Sequence, residues 1–394
     1  QQSISIFGSD TWGSLSPFPT LLPYGKEMVV VFDGTRGTTG PYSQGCIVVA
    51  TSAKPTWVLE PWSLSQDCVG NNGGATVTRN GTLSAAWISG NQIDYRVGVS
   101  QTIPPGTPDS YFSVPGHGSP DSANVVTDLA GSDDVYAAWN QNDSSPATDN
   151  GFWVKDLMGG SAMKAPGSGL NSVSNFPEFS ELVPLANTNT HGGVFIVYCS
   201  NASTCSLLLW RVGAKKPLVV PGSYNALDAA ISAGPDGRIW VAWANRSSND
   251  VSTVRTNTAD TAFGPVETYA TPCGGGPALG LTGGDYGRLD IVMTCVNTAD
   301  KDGLYVTQSL AGLSLTPSRL EISAGSSNTI EFGVSDAGDP VAGATVRVDG
   351  KTATTNAKGN AFFSFPKGSS TGHFTVTASA LNYYSAHATL DIVS

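Results

Sequence analysis

An all-β fold is what this sequence predicts: a six-bladed β-propeller over residues 1–312 followed by an Ig-like β-sandwich over residues 313–394. Three observations lead there. A short apolar strand ending in a large side chain recurs about every 52 residues. Turn-formers are abundant, with 46 Gly and 24 Pro among 394 residues. From about Leu313 the long repeat gives way to closely set alternating strands.

The recurring strands are Met28-Val-Val-Val-Phe32, Leu83-Ser-Ala-Ala-Trp87, Val135-Tyr-Ala-Ala-Trp139, Val194-Phe-Ile-Val-Tyr198, Ile239-Trp-Val-Ala-Trp243 and Leu289-Asp-Ile-Val-Met293. Turn signals precede them, among them Asn80-Gly81, Ser132-Asp-Asp134, Pro235-Asp-Gly237 and Tyr286-Gly287. Before each turn the pattern predicts a first strand, at 75–79, 125–129, 182–186, 229–233 and 278–281. After the recurring strand it predicts a third, at 47–51, 94–101, 151–156, 206–212 and 304–308. A weaker fourth follows in most units, at 57–60, 111–114 and 217–220. Four strands per period is the pattern of a propeller blade. So short a sheet buries its faces only against its neighbours, which requires the repeat to close into a ring.

The sixth unit lacks an evident fourth strand. The alternating segment Ser3-Ile-Ser-Ile-Phe7 is the predicted strand that completes the last blade, with donation to a neighbouring molecule as its rival use. The tail reads as seven strands, at 315–323, 328–335, 344–348, 351–355, 360–365, 372–379 and 387–393. Turns at Asp349-Gly350, Lys358-Gly359 and Lys367-Gly368 separate some of them, which is a sandwich without a disulfide.

Charge and cysteine usage indicate the compartment. Twenty Lys and Arg against 31 Asp and Glu leave a net charge of −11, the wrong sign for a nucleic-acid or anionic-membrane partner. No apolar run approaches the roughly 20 residues that span a bilayer. Opening at Gln1-Gln2 without Met, the chain reads as a mature secreted or cell-surface protein. The six cysteines fall as Cys46/Cys68, Cys199/Cys205 and Cys273/Cys295. Six cysteines allow 15 pairings; proximity favours these three disulfides, and neither their spacing nor the four scattered histidines form a zinc site. Four N-glycosylation sequons, at Asn80, Asn142, Asn201 and Asn245, fit an exported glycoprotein. Three of them follow the recurring strand in successive units and would crowd the loop face of a propeller with sugar.

The segment Gly338-Asp-Pro-Val-Ala-Gly-Ala-Thr-Val-Arg-Val-Asp-Gly350 with Thr354-Thr-Asn-Ala-Lys-Gly-Asn-Ala-Phe362 resembles bacterial and archaeal Ig-like, or carboxypeptidase-regulatory-like, modules of surface proteins. That resemblance implies a spacer or adhesion unit. The stretch Pro235-Asp-Gly-Arg-Ile-Trp-Val-Ala-Trp243 resembles blades of sialidase-like secreted propellers, in texture and not in catalytic motif. The family's enzymes would need an Arg cluster, a Tyr nucleophile backed by Glu, and an acidic proton donor. The chain has 10 Arg, and its predicted first strands are almost uncharged. Ser232 to Trp240 departs from the family's Asp-box in spacing and place, and reads as turn chemistry.

Weaker candidates remain. Glu178, Glu181, Asp121 and Asp228 could supply a carboxylate pair, although each also reads as a solvated loop or strand-edge acid. Asp300-Lys-Asp302-Gly303 begins like a calcium loop but lacks the further ligands. No cofactor is called for; a structural Ca²⁺ would suit an acidic secreted β-protein. Trp12, Trp57, Trp62 and Trp153 could stack on sugar rings or fill space between blades. The reading is a non-catalytic protein for adhesion, for binding glycans or surface proteins, or for self-association into filaments. The alternative is a sialidase-like glycoside hydrolase or polysaccharide lyase. Deleting residues 1–8 is expected to lower the melting temperature steeply, and an unchanged thermal melt would remove the closing role of Ser3–Phe7.

Overall fold

The computed structural model describes residues 12–15, 20–24, 27–36, 44–53, 56–63, 71–99, 110–129, 131–142, 144–168, 181–184, 192–200, 205–234, 237–245, 248, 250–273, 278–285, 287–295 and 303–394. The N-terminal segment Ser3–Phe7 lies outside them. Among the described residues the structure is nearly all β, with 3-10 turns at Pro115–His117 and Ala147–Asp149. No described helix is long and apolar enough to cross a membrane. The chain divides into two compact units, Gln1–Val219 and Val220–Ser394.

Among the described residues the first unit holds four up-and-down antiparallel sheets. The first contains Thr20–Tyr24, Glu27–Arg36, Gln44–Ala53 and Thr56–Ser63, and Trp12–Leu15 shares the edge of Glu27–Arg36 with Thr20–Tyr24. The second is Asn71–Val77, Leu83–Ser89, Gln92–Val99 and Ser110–Ser113. The third is Ser119–Thr127, Val135–Asn142, Gly151–Asp156 and Met163–Lys164. The fourth is Glu181–Pro184, Val194–Cys199, Leu207–Arg211 and Leu218–Val219.

The second strands are mostly apolar because they lie mid-sheet with both faces covered. Every residue of Val194–Cys199 is buried, and so are the aromatics Trp87, Trp139 and Tyr198. Fourth strands sit at an edge and stay largely exposed, as Ser110–Ser113 does. Consecutive sheets pack face to face. Trp139 of the third meets Phe112 of the second at 5.3 Å, and Phe152 of the third meets Tyr198 of the fourth at 5.6 Å. First strands approach most closely. A Cβ on Gly74 would come within 3.2 Å of the Ala123 carbonyl oxygen, and Thr76 shares a hydrogen bond of 3.1 Å with Thr127.

The second unit repeats the pattern in its fifth sheet, Ala226–Ala233, Ile239–Asn245, Asp250–Arg255 and Glu267–Ala270. The sixth has three antiparallel strands, Ala278–Asp285, Arg288–Cys295 and Gly303–Gly312. Its next position is taken in parallel by Tyr383–Tyr384, which pairs with Ala311 and Gly312 alone. Between the fifth and sixth sheets Trp240, Ala242 and Val251 pack on Leu289, Ile291 and Met293.

Two further sheets follow. One combines Ser314–Pro317, Asn328–Asp336, Asp339–Pro340 and Asn360–Phe365; the other runs Glu321–Ser323, Ala386–Val393, Gly372–Ser379, Thr345–Val348, Lys351–Thr354. Alternate residues of Asn328–Asp336 and Asn360–Phe365 turn inward. Ile330, Phe332, Phe363, Val346, Val376 and Leu390 share one core. The Asp349-Gly350 turn has both residues at positive φ, 48° and 70°, as a two-residue hairpin requires.

This body is fastened to the fifth sheet by buried charge. Arg255 pairs with Asp336, Arg238 reaches Asp336 at 3.4 Å and Asp339 at 2.7 Å, and the Tyr383 hydroxyl donates to Asp336 at 3.2 Å. Asp336 and Arg255 are only 1% and 3% exposed. Asp336→Ala would leave two buried guanidinium groups short of their carboxylate. It should cost about 3–5 kcal/mol in a urea unfolding experiment; a loss within error of zero would mean that the network is not formed in solution.

Candidate functional site

The head of the first strand in the fifth sheet carries the most perturbed acid among the described residues. A turn at 221–225 leads into it, closed by the Ala226 amide donating to the Ser223 carbonyl at 3.2 Å and by Asn225 in left-handed backbone, φ 66°. Tyr224 stands on this turn, 63% exposed. The pairing register then slips between Ala226 and Asp228, a bulge that re-aims the side chains at the strand head. A similar slip occurs between Pro120 and Ser122 in the third sheet.

Asp228 lies in this irregular stretch. One carboxylate oxygen accepts the Ala229 amide at 2.8 Å, and the other accepts the Leu279 amide of the sixth sheet's first strand at 3.0 Å. Burial pushes its pKa up to about 7, against the partial opposition of those two N–H donors. A carboxyl poised near neutrality can exchange a proton under ordinary conditions. Here it also ties two strands together. Four residues along, the Ser232 hydroxyl repeats the device by accepting the Gly283 amide at 3.0 Å.

The remaining candidates are dispersed. Asn142 pairs with Ser119 and Asn245 with Ala226, so each sits beside the head of its own sheet's first strand. Asn80 sits in the hairpin at the other end of the second sheet. Disulfides join Cys199 to Cys205 and Cys273 to Cys295. Cys46, Asp121 and Glu181 fall in strands Gln44–Ala53, Ser119–Thr127 and Glu181–Pro184. Cys68, Glu178, Asn201, Asp300 and Asp302 lie outside the described residues, as therefore does any Cys46–Cys68 bridge. Among the described residues no three His, Cys, Asp or Glu side chains are grouped to hold a metal ion.

Trp153 is not a sugar platform. It is 9% exposed, stacked on Trp139 with ring centroids 6.4 Å apart, and its indole donates to the Asp149 carbonyl at 2.8 Å. Four described arginines take structural partners: Arg238 and Arg255 the acids above, Arg79 the Gly131 carbonyl at 3.0 Å, Arg288 the Asp290 carboxylate at 3.3 Å. Sequence reasoning passed over Tyr224. Its signal is an aromatic inside the turn Pro221-Gly222-Ser223-Tyr224-Asn225, where none is needed for packing.

No protein-family model matches this chain, and no curated protein matches it. Among solved structures, the SapL1 lectin in complex with α-methyl fucoside is similar over 74% of this chain and 95% of its own, at 11% identity and a TM-score of 0.42. The PQQ-bound aldose sugar dehydrogenase of Streptomyces coelicolor is similar over 73% of this chain and 100% of its own, at 11% identity and a TM-score of 0.38. Trypanosoma rangeli sialidase is similar over 74% of this chain, at 13% identity and a TM-score of 0.42, and the match spans 54% of that enzyme.

Asp228 makes a pH-dependent contribution whose sign follows from its shift. The folded-state value of about 7 lies above the ordinary 3.8, so the folded chain holds this proton more tightly than the unfolded one. The resulting stability is fully present below about pH 4 and is lost as pH rises through 7. The unfolding free energy of Asp228→Asn, minus that of the unsubstituted chain, should therefore climb between pH 4 and 7 and then level. The climb is at most about 4 kcal/mol. A difference flat across that range would show that Asp228 does not titrate there.

Proposed function

We propose that this is a secreted or cell-surface glycan-binding protein, built as a six-bladed propeller carrying a C-terminal Ig-like module, and that it binds without catalysing. The observation that carries the reading is the exposed ring of Tyr224 on the turn entering one first strand, four residues before the largely buried Asp228. An exposed aromatic ring offers a flat apolar face to a sugar, and its hydroxyl a polar tip. The neighbouring carboxyl is already occupied by two backbone amides, which suits a residue that shapes a site. Two disulfides fit an oxidising compartment. The net charge of −11 favours neutral sugars over acidic ones as ligands.

A second reading, a sialidase-like glycoside hydrolase, is favoured by one feature only, the near-neutral Asp228. A glycan array and a chromogenic glycoside panel separate the two. We expect array binding that Tyr224→Ala reduces at least tenfold, about 1.4 kcal/mol, and no turnover on the panel. Turnover abolished by Asp228→Asn would establish the hydrolase instead. Binding untouched by Tyr224→Ala would move the site elsewhere.

A further inference from the structure

The sequons look alike in sequence and differ sharply in presentation. Asn80-Gly81-Thr82 forms the tip of the hairpin between Asn71–Val77 and Leu83–Ser89. Asn80 is exposed, and Gly81, at φ +83°, has open space where a Cβ would stand. The Asn80 side-chain Oδ1 accepts the Thr82 backbone amide at 3.2 Å and the Thr78 hydroxyl. Neither the amide nitrogen of Asn80 nor the hydroxyl of Thr82 makes a hydrogen bond among the described residues. These are the two groups by which a sequon is read and modified. The tip is held rigidly: the Arg79 amide donates to Asp133 at 2.8 Å, and its guanidinium to the Gly131 carbonyl at 3.0 Å.

Asn142-Asp143-Ser144 is the opposite case. Ser144 is 7% exposed, its hydroxyl accepts the Gln141 amide at 2.9 Å, and its backbone N–H donates to Asn150 at 2.8 Å. The Asn142 side-chain oxygen is itself buried. Reading this sequon would require stripping Asn142 from Ser119 and dismantling the Gln141 contacts to Pro115 and Asp149.

We infer that Asn80 is a glycan acceptor of the folded chain and that Asn142 is not. The donor is an oligosaccharide linked through its anomeric carbon to a polyprenyl diphosphate. The Asn80 amide nitrogen attacks that carbon, and a C–N bond forms as the C–O bond to phosphate breaks. The diphosphate leaves with the electron pair, and one amide proton passes to the transferring enzyme's base. The sugar then stands at the hairpin end of the second sheet. The third-sheet loop end, where Asn142 lies, stays bare, contrary to the crowding that sequon spacing suggests.

The test incubates the folded full-length protein with an oligosaccharyltransferase and a polyprenyl-diphosphate oligosaccharide, read by intact mass and peptide mapping. A synthetic peptide of residues 76–86 serves as the reference acceptor. We expect a glycan on the Asn80 peptide and none on the Asn142 peptide. Asn80→Gln should remove that glycan, as should Thr82→Ala, which keeps the Asn80 side chain. A bare Asn80 in the folded chain under conditions that modify the peptide would overturn the inference, and so would a glycan on Asn142.

Discussion

A four-stranded sheet with strands this short cannot cover its own faces, and that constraint organises the molecule. Each face must be buried by the next sheet, so second strands become mostly apolar and carry a large side chain, while first strands become small and hydroxylated. Trp139 and Tyr198 meet the first requirement by burying their rings between sheets. The second is met by Gly74, Thr76 and Thr127 in one unit and by Ser232 and Gly283 in the other. Backbones approach there too closely for larger side chains, and polar groups that lose water need partners at once. Thr76 with Thr127, Asp228 with Leu279 and Ser232 with Gly283 are each 51 residues apart. The repeat period read from the sequence thus reappears as a spacing between bonded partners.

What was legible follows from that division. Second strands begin within a residue of the expected position, because a run covered on both faces is mostly apolar. The first strands of the second and third sheets begin earlier than expected, at Asn71 and Ser119 instead of 75 and 125. Their heads are polar and carry register slips, which erase the period-two signal. In the tail, clean alternation made the long strands readable. The two-residue strands Asp339–Pro340 and Tyr383–Tyr384 have no periodicity to read. Asp228 was visible only as an acid near a strand start. Its pKa depends on burial and on an amide 51 residues away, and no local pattern encodes that.

The C-terminal body is joined closely to the fifth and sixth sheets. One residue, Leu313, separates Gly303–Gly312 from Ser314–Pro317. Leu313 is buried and its amide donates to the Tyr384 carbonyl at 3.3 Å. Tyr383–Tyr384 extends the sixth sheet, and Asp336 and Asp339 reach the fifth through Arg238 and Arg255. Arg255 also lies over the rings of Trp240 and Tyr383, 5.3 and 5.4 Å from their centroids. Burying such charges brings little net stability, yet their geometry tolerates few alternative arrangements. The body is fixed in orientation on the fifth and sixth sheets.

The same economy bears on what Asp228 can do. A general acid must present its proton to a leaving oxygen, and a retaining or inverting pair needs a second carboxylate roughly 5–9.5 Å away. Both Asp228 oxygens accept backbone amides, one from the next residue and one from the sixth sheet's first strand, and these two bonds fix the carboxyl in place. Through the Leu279 amide Asp228 bridges the first strands of the fifth and sixth sheets, and the proton it carries near neutrality lowers the electrostatic cost of its burial.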